Sequence, residues 1–330
     1  MLGNPPKFLI LGDLYFWRKM DIEIKIKSID EAIPKLQKIV AKCSLCVHQC
    51  GVNRLIGEKG KCRAGQDALV YKSFLHRGEE PSISGSKGSG TIFFSQCNMA
   101  CTYCQNNQFS QKDVGDEKNV ESLAEIMLSL QKKGCHNINL VSPTHYIYAI
   151  VLALKNAYDN GLRLPIVYNT GGYDSLEVIK LLDGIMDIYL PDMRYSCDEM
   201  AKKYSGVINY VSNNRKIVKE MFRQVGTLKI DAGVAFKGLI VRLLILPGKI
   251  SGTIETMEYL SRNINREMFI SIMSQYYPAY KALQDDVLKN RITHAEYRVV
   301  TEAMGRLGMT NGWVQPFFEN VDNNFAGENF

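Results

Sequence analysis

Three cysteines in one short stretch, Cys97, Cys101 and Cys104, are the residues of this chain best suited to do chemistry. Three residues separate the first from the second, two separate the second from the third, and an apolar run at 91–94 precedes them. Thiolates are the usual ligands of iron–sulfur clusters, which normally take four of them. Three thiolates from one loop leave one iron without a protein ligand, and an open coordination position distinguishes reactive metal centres from structural ones. The spacing therefore predicts a reactive cluster.

A second group of cysteines lies earlier in the chain. Its four members are separated by two, three and eleven residues, with glycines between them: Cys43, Cys46, Cys50 and Cys62. Glycine permits the positive φ and close backbone approach that a chain wrapping a metal requires. The pattern predicts a closed four-ligand site, with His48 as a further candidate ligand. Structural zinc sites use similar spacing, so an iron–sulfur cluster and zinc both remain open.

Composition limits the class of protein. The chain has 330 residues, nine cysteines and a formal net charge of +6, with Lys and Arg spread along it. We expect no nucleic-acid partner, although a basic face for an acidic partner remains open. Clustered cysteines in a long chain without a recognisable signal peptide predict metal ligands in a reducing cytoplasm rather than disulfides. The apolar stretch at 8–17 is too short to span a bilayer, so we expect no membrane partner.

The pattern around the cysteines predicts the elements that position them. A strand at 91–95 precedes Cys97, a capped helix covers 30–42, and the alternating residues 21–26 read as a strand. Further strands are predicted at 138–141, 165–170, 185–190, 239–246 and 269–273. Helices are predicted between and after them, at 120–133, 145–159, 175–182, 198–226, 254–264 and 293–307.

Apolar strands alternating with amphipathic helices predict parallel β/α units. Six strands suit an α/β fold with a partial (β/α)6 TIM-like barrel, preceded by a small cysteine-rich extension. We divide the chain into the extension at 1–89, the barrel at 90–310 and a C-terminal tail at 311–330.

Polar residues follow the ends of the first four predicted strands. They are Cys97, His145, Asn169 and Asp192. Reactive groups of such barrels gather at the carboxyl ends of the strands. Glu79 and Glu80, in the turn-rich connector before the first strand, either face this site or form a solvated turn.

The cysteine loop, with Tyr103 just before its third cysteine, resembles the signature of the radical SAM superfamily. Residues 95–97 and 105–106 are similar to the pyruvate formate-lyase activating enzymes, and the four-cysteine segment is similar to an activating-enzyme-like branch. The resemblance covers about residues 90–280. It implies a [4Fe–4S] cluster that reductively cleaves S-adenosylmethionine (SAM) to a 5′-deoxyadenosyl radical, which abstracts hydrogen from a substrate.

The resemblance also implies roles for individual residues. Cys97, Cys101 and Cys104 would each bind an iron, and the fourth iron would take the amine and carboxylate of SAM. Tyr103 would lie near the adenine.

Four other polar residues are implied as SAM contacts. Asn169 would contact SAM, while Asp192 and Arg194 would contact its ribose or carboxylate. Arg242 is either a partner of the SAM carboxylate or a paired arginine of the strand.

Two features depart from the activating enzymes. The Gly-Gly-Glu motif expected after the second strand is replaced by residues 142–145, so the SAM amine would be held by Ser142 or Thr144. His145 is a candidate catalytic residue, as a proton carrier or substrate contact, with a structural hydrogen bond as the alternative. The additional cysteines precede the barrel, whereas those of activating enzymes are inserted after the three radical SAM cysteines.

The expected function is hydrogen abstraction from a protein, as in glycyl-radical activation. A small-molecule or other peptide substrate is the alternative, and a non-catalytic iron–sulfur or zinc electron-transfer protein is the alternative from a different class. We expect a one-electron donor such as flavodoxin or ferredoxin, and a second cluster would relay its electrons.

Overall fold

The computed structural model describes residues 11–317, so the predicted extension and tail lie partly outside the described residues. The strands are β1 (Ala68–His76), β2 (Ser89–Phe94), β3 (Asp116–Lys118), β4 (Ile138–Val141), β5 (Ile166–Thr170), β6 (Ile188–Pro191), β7 (Lys229–Asp231), β8 (Val234–Leu244), β9 (Phe269–Met273) and β10 (Gly312–Val314). The helices are α1 (Leu11–Ala41), α2 (Pro81–Ser84), α3 (Asn107–Ser110), α4 (Val120–Lys132), α5 (Ile147–Asp159), α6 (Leu176–Leu181), α7 (Asp198–Ser205), α8 (Tyr210–Val225), α9 (Thr253–Asn263) and α10 (His294–Arg306).

These strands belong to one sheet in the order β10-β9-β8-β6-β5-β4-β2-β1-β3, and β7 pairs with β8. The run from β2 to β10 is parallel, whereas β1 and β3 pair antiparallel at the edge next to β2. Every residue of β2, β4, β5 and β6 is buried, as parallel strands covered on both faces require. The predicted α/β fold with a largely parallel sheet, consistent with a partial barrel, is confirmed.

The two faces of the sheet have different partners. On β5, Tyr168 belongs to the main core, which includes the helices, whereas Val167 packs with Ile188 and Ile240 in a separate inner core. Ile83 of α2 joins this inner core, and its carbonyl accepts a hydrogen bond of 2.8 Å from the Asn137 side chain just before β4. The short helix α2 therefore plugs the amino-terminal end of the inner face.

The predicted strand at 21–26 is wrong, because these residues are part of α1. Ile22, Ile26 and Ile29 recur at helical spacing and face the core, whereas Ile24 is 54% exposed. The spacing of the isoleucines fits a helix as well as a strand. The helix is favoured because it packs Ile22, Ile26 and Ile29 against the rest of the molecule.

Other differences are local. The predicted helix at 198–226 is two helices, because Gly206 and Asn209 have left-handed φ values of 64° and 54°. Residues 312–314, which the prediction placed in the C-terminal tail, form β10 beside β9. Strands β1, β3 and β7 were not predicted either. Across residues 11–317 there is no helix both long and apolar enough to cross a membrane.

Candidate active site

The cysteine loop leaves the end of β2 through Gln96, which is buried and has a left-handed φ of 66°. Its side chain accepts a hydrogen bond of 2.5 Å from the Tyr146 hydroxyl and donates one of 2.7 Å to Asp113. These contacts hold the turn that begins the loop. Gln96 is part of the resemblance at 95–97, but no role was predicted for it, because no local pattern predicts its left-handed conformation.

Each thiol of the loop has a neutral hydrogen-bonding group beside its sulfur. The Met99 amide donates to Cys97 Sγ at 3.4 Å, and the Ser205 hydroxyl donates to Cys101 Sγ at 2.9 Å. The Ser110 hydroxyl lies 3.1 Å from Cys104 Sγ. Sulfur atoms with such donors are suited to carry the negative charge of cluster ligands.

Burial raises the pKa of Cys97 to about 12 and that of Cys104 to about 11, and nearby Cys101 adds to both shifts. The thiols therefore stand close enough to oppose one another's ionisation, a cost that a bound cation reverses. Among the side chains of residues 11–317, no group of three or more His, Cys, Asp and Glu residues has metal-binding geometry. The fit to an iron–sulfur cluster thus rests on the donor set: one buried and two partly buried thiols, each with a hydrogen-bonding group at its sulfur.

Four predicted cofactor residues form one hydrogen-bonded network around Arg242. Its guanidinium donates to Asp192 at 2.9 Å and to Asn169 at 2.6 Å. Asp192 also accepts a hydrogen bond of 2.5 Å from Arg194. These residues come from β5, β6 and β8, and the structure brings the strand-end residues Asn169 and Asp192 together with Arg194 and Arg242.

Glu79 completes this network from the connector. Its carboxylate lies 3.7 Å from the Arg242 guanidinium and accepts a hydrogen bond of 3.4 Å from Asn169. The side chain of Glu79 is 9% exposed, and Glu80 is also buried. The connector therefore faces the inner side of the sheet, and the alternative of a solvated turn is wrong.

Side chains of α8 link the glycine turn after β5 to the end of β6. The Tyr210 hydroxyl donates to the Gly171 carbonyl at 3.0 Å, and the Asn214 amide donates to the carbonyls of Gly172 and Asp192, both at 3.0 Å. Gly172 has a φ of 79°, and a Cβ there would lie 2.1 Å from Asn214 Nδ2. A side chain at 172 would therefore break the contacts that fix the two strand ends.

Tyr103 lies in an aromatic cluster beside Arg194 of the network. Its hydroxyl lies 2.7 Å from that of Tyr195, which lies 2.6 Å from the Ser205 hydroxyl. Ser205 in turn contacts Cys101, so a buried chain of hydroxyls leads to a cluster sulfur. Sequence reasoning identified Tyr103 but missed Tyr195 and Ser205, which come from a distant part of the chain.

His145 is buried, and its Nε2 donates to the Ser95 carbonyl at 2.9 Å. Burial, as the largest cause, lowers its pKa to about 3, so the ring is neutral. Thr144 donates a hydrogen bond of 2.6 Å to buried Asp174, so its hydroxyl is engaged within the protein. Ser142, which has a φ of 58°, stands at the turn after β4.

The four-cysteine segment is organised by Arg54, another residue without a sequence signal. Its buried guanidinium donates to Cys62 Sγ at 2.8 Å, to Cys43 Sγ at 3.1 Å and to the His145 carbonyl at 2.8 Å. Burial raises the pKa of Cys46 to about 12. Cys50 Sγ accepts a hydrogen bond of 3.3 Å from the Lys61 amide.

This segment packs directly on the first cysteine loop. His48 donates from Nε2 to the Asn98 carbonyl at 2.8 Å, one residue after Cys97. Cys46 forms a backbone bridge with Asp174, and Ser175 donates its amide to Leu45 at 3.1 Å. The two cysteine groups therefore occupy neighbouring positions at the carboxyl ends of the strands.

A cavity of about 470 Å³ occupies the inner face of the sheet. Gln105 and Asn106 of the cysteine loop line one end, and His76, Glu79 and Glu80 line the other. Asn169 and Arg242 lie between them, whereas His145 and Tyr103 are not among its lining residues within 11–317. The cavity therefore extends from the cysteine loop to the short helix α2.

Comparison with known proteins gives the family. A profile of the Radical SAM superfamily matches residues 91–260. The chain is 28% identical over 296 residues to Uncharacterized protein MJ0674 of Methanocaldococcus jannaschii, covering 86% of this chain and 80% of that protein. The cysteine loop and Asn169, Asp192, Arg194 and Arg242 fall within the residues that the profile matches, whereas Glu79 lies before them.

Solved structures with a similar fold are more distant. SuiB of Streptococcus suis bound to S-adenosylmethionine is 11% identical, with a TM-score of 0.47 over 67% of this chain and 48% of that chain. The chain therefore spans about half the length of SuiB. Methylornithine synthase PylB is 15% identical, with a TM-score of 0.46 over 70% of this chain and 72% of that chain. Because the profile matches more than half of its residues, the chain belongs to the radical SAM superfamily, whose members combine a [4Fe–4S] cluster with SAM.

Proposed function

We propose that Cys97, Cys101 and Cys104 hold the [4Fe–4S] cluster and that the Arg242 network binds SAM beside it. The observation that carries this proposal is the convergence of Asn169, Asp192, Arg194 and Arg242 next to the cysteine loop. A Cβ on Gly171 would lie 2.9 Å from Met99 Sδ and 3.7 Å from Arg194 Nε, so the network adjoins the loop. When bound, the cluster and SAM supply a carbon radical by reductive cleavage.

The protein's own residues orient the cofactor and shield the reaction. Asp192 is fixed by two guanidinium groups, and a carboxylate so held accepts hydrogen bonds from hydroxyls, as a ribose provides. Asn169 is fixed by Arg242 and Glu79, which orients its amide. Ser142 is the proposed contact for the SAM amine, because Thr144 already donates to Asp174. His145 positions the start of the loop through the Ser95 carbonyl.

Cys43, Cys46, Cys50 and Cys62 are proposed to hold a second iron–sulfur cluster that relays electrons from a flavodoxin or ferredoxin. The contact between His48 and the Asn98 carbonyl supports this role, because it places the two cysteine groups against each other. Zinc is the alternative occupant, since four thiols also suit a structural zinc site.

Two substrate classes remain for the cavity. A glycyl-radical-type protein would insert a peptide loop, whereas a small molecule would enter alone. The cavity of about 470 Å³ is lined on one side by residues 312–316, which extend the sheet past β9. This size is typical of small-molecule sites, so we favour a small-molecule substrate and place glycyl-radical activation second.

The experiment is anaerobic reconstitution with iron and sulfide, reduction with dithionite, and measurement of 5′-deoxyadenosine from SAM. Wild-type protein is expected to form the product, and Cys101→Ala is expected to form none. Cys197→Ala, which removes a cysteine outside both groups, is the matched control and should retain the product. Absence of product from the wild type, or equal product from Cys101→Ala, would contradict the proposal.

A further inference from the structure

We propose that the end of the cavity formed by His76 and Glu80 binds the amino group of a small-molecule substrate. This inference rests on the proposed radical SAM function and assigns the substrate class of the same site. Neither residue belongs to the cysteine groups or to the Arg242 network, and both line the cavity. We call the part of the cavity that they form the acidic floor.

Two buried side chains of the acidic floor have polar atoms without a partner. Glu80 is 8% exposed and His76 is 9% exposed. Within residues 11–317, Glu80 Oε2 and His76 Nδ1 have no hydrogen-bond partner. A buried polar atom left unpaired costs free energy, so both atoms favour a ligand that donates hydrogen bonds.

Glu80 is about half ionised at neutral pH, and a bound ammonium would favour its carboxylate form, while His76 is neutral. Burial raises the pKa of Glu80 to about 7, and nearby Glu79 raises it further, while Arg242 opposes the shift. Burial lowers the pKa of His76, which keeps its imidazole neutral. A carboxylate oxygen and a neutral ring nitrogen both accept, and an ammonium group offers three donors.

The charge around the cavity also favours a cation. Arg242 is the one Lys or Arg among the described lining residues, and it is already engaged by Asp192, Asn169 and Glu79. Arg242 also acts on Glu80, so this one guanidinium is shared by three carboxyl groups, those of Asp192, Glu79 and Glu80. An anionic ligand at this end would face two glutamates, whereas an ammonium would compensate them.

Aromatic walls complete the site. Phe93 and Trp313 line the cavity from β2 and β10, and aromatic faces attract cations. The His76 ring is held between Phe74 and Phe93, with ring centroids 5.8 and 6.1 Å away. An amine on the acidic floor would leave the rest of the substrate directed toward Gln105 and Asn106. The carbon that loses hydrogen would then face the cysteine loop.

The test measures binding of a simple amine to the reconstituted holoenzyme. n-Butylamine is compared with n-butanol and butyrate by isothermal titration and ligand-observed NMR, with wild type, Glu80→Gln and Glu121→Gln. The Glu80→Gln substitution keeps the shape of the side chain and removes its charge, and Glu121 is an exposed residue of α4 that serves as control. We expect the amine to bind about tenfold or more tightly than the alcohol or the acid, and Glu80→Gln to abolish that preference.

The inference would be overturned if the three probes bound equally or if butyrate bound most tightly. It would also be overturned if Glu80→Gln kept the wild-type preference for the amine. His76→Gln is the second variant, and it should weaken amine binding without changing the net charge. Formation of 5′-deoxyadenosine without any probe is measured on the same preparation. If 5′-deoxyadenosine forms but the amine is not preferred, only this inference is overturned. If the amine is preferred but no 5′-deoxyadenosine forms, only the proposed function is overturned.

Discussion

The two cysteine groups differ in what faces their sulfur atoms. The loop after β2 has an amide and two hydroxyls, from Met99, Ser110 and Ser205. The earlier segment has the buried guanidinium of Arg54, which bonds two sulfurs at once. Neutral donors stabilise negative sulfur weakly, whereas a buried cation compensates it directly.

This difference agrees with the proposed roles of a reactive site for the loop and a closed site for the earlier segment. A guanidinium beside a thiolate cluster favours its reduced state, so the earlier group would be the more easily reduced if it holds iron and sulfur. The loop after β2 keeps its charge less compensated, as a centre that must donate an electron at low potential requires. Arg194 lies near this loop and favours the ionised thiols, but it bonds Asp192 and no sulfur within residues 11–317.

The largest expected effect comes from breaking one group at a time. Cys101→Ala should abolish SAM cleavage, because the loop then offers two thiols. Cys62→Ala should retain cleavage with dithionite but lose it with a flavodoxin as the donor, because the relay is broken. Iron content and 5′-deoxyadenosine are measured for both variants. Loss of dithionite-driven product in Cys62→Ala with intact loop iron would contradict the separation of roles.

Removal of the guanidinium should be the next largest effect. Arg54→Leu leaves the sulfurs of Cys43 and Cys62 uncompensated, and we expect a loss of about 3 kcal/mol in the free energy of unfolding, together with metal loss from that group. Arg54→Lys should recover part of the metal, since it keeps the charge but not the fork of donors. Arg262→Leu, whose side chain is 69% exposed, is the control. Full metal content in Arg54→Leu would show that the cation is not needed there.

Glu80 is a buried carboxyl away from both cysteine groups, so it allows a comparison in which no sulfur is involved. The pKa of Glu80 is raised to about 7, so its favourable contribution is complete below about 4.5 and is lost as pH rises through 7. The charged groups that act on it are Arg242 on β8 and Glu79 beside it, and it acts on His76 on β1. Glu80→Gln should therefore melt close to wild type at pH 5 and above it at pH 8. A difference in melting temperature that is constant with pH would contradict this.

The smallest effect is expected from a single neutral donor. Ser205→Ala removes one hydrogen bond to Cys101, worth about 1 kcal/mol. For a one-electron couple this lowers the reduction potential by about 40 mV. A potentiometric titration followed by electron paramagnetic resonance measures the shift, and exposed Ser212→Ala is the control. An unchanged potential would mean that the hydroxyl does not act on the cluster.

The sequence predicted the residues that topology alone brings together. Asn169 and Asp192 lie at the ends of neighbouring parallel strands, so alternation and strand ends were enough to place them together, whereas Arg242 was predicted from the family resemblance. The direction in which a side chain points could not be predicted in the same way. Tyr103 and His145 have the expected positions along the chain, yet their side chains are held by Tyr195 and by the Ser95 carbonyl.

Contacts between distant segments could not be predicted. Glu79 and Glu80 lie in a connector without periodicity, and their burial follows from the packing of Ile83 in the inner core. Arg54 reaches the carbonyl of His145, which is 91 residues away. No local pattern encodes either contact, because each depends on a surface that other elements create.

Strand β10 has a consequence for how this enzyme changes over evolutionary time. It stands at one end of the sheet, is paired only to β9 among the described strands, and contributes Trp313 to the cavity wall. The cysteine loop lies six strands away along the same sheet, yet Gln105 of that loop and Gln315 after β10 both donate hydrogen bonds to Gln275. Substitutions that accumulate in β10 would therefore reshape the wall of the proposed substrate site and also reach the loop through Gln275, so we expect the two regions to change together.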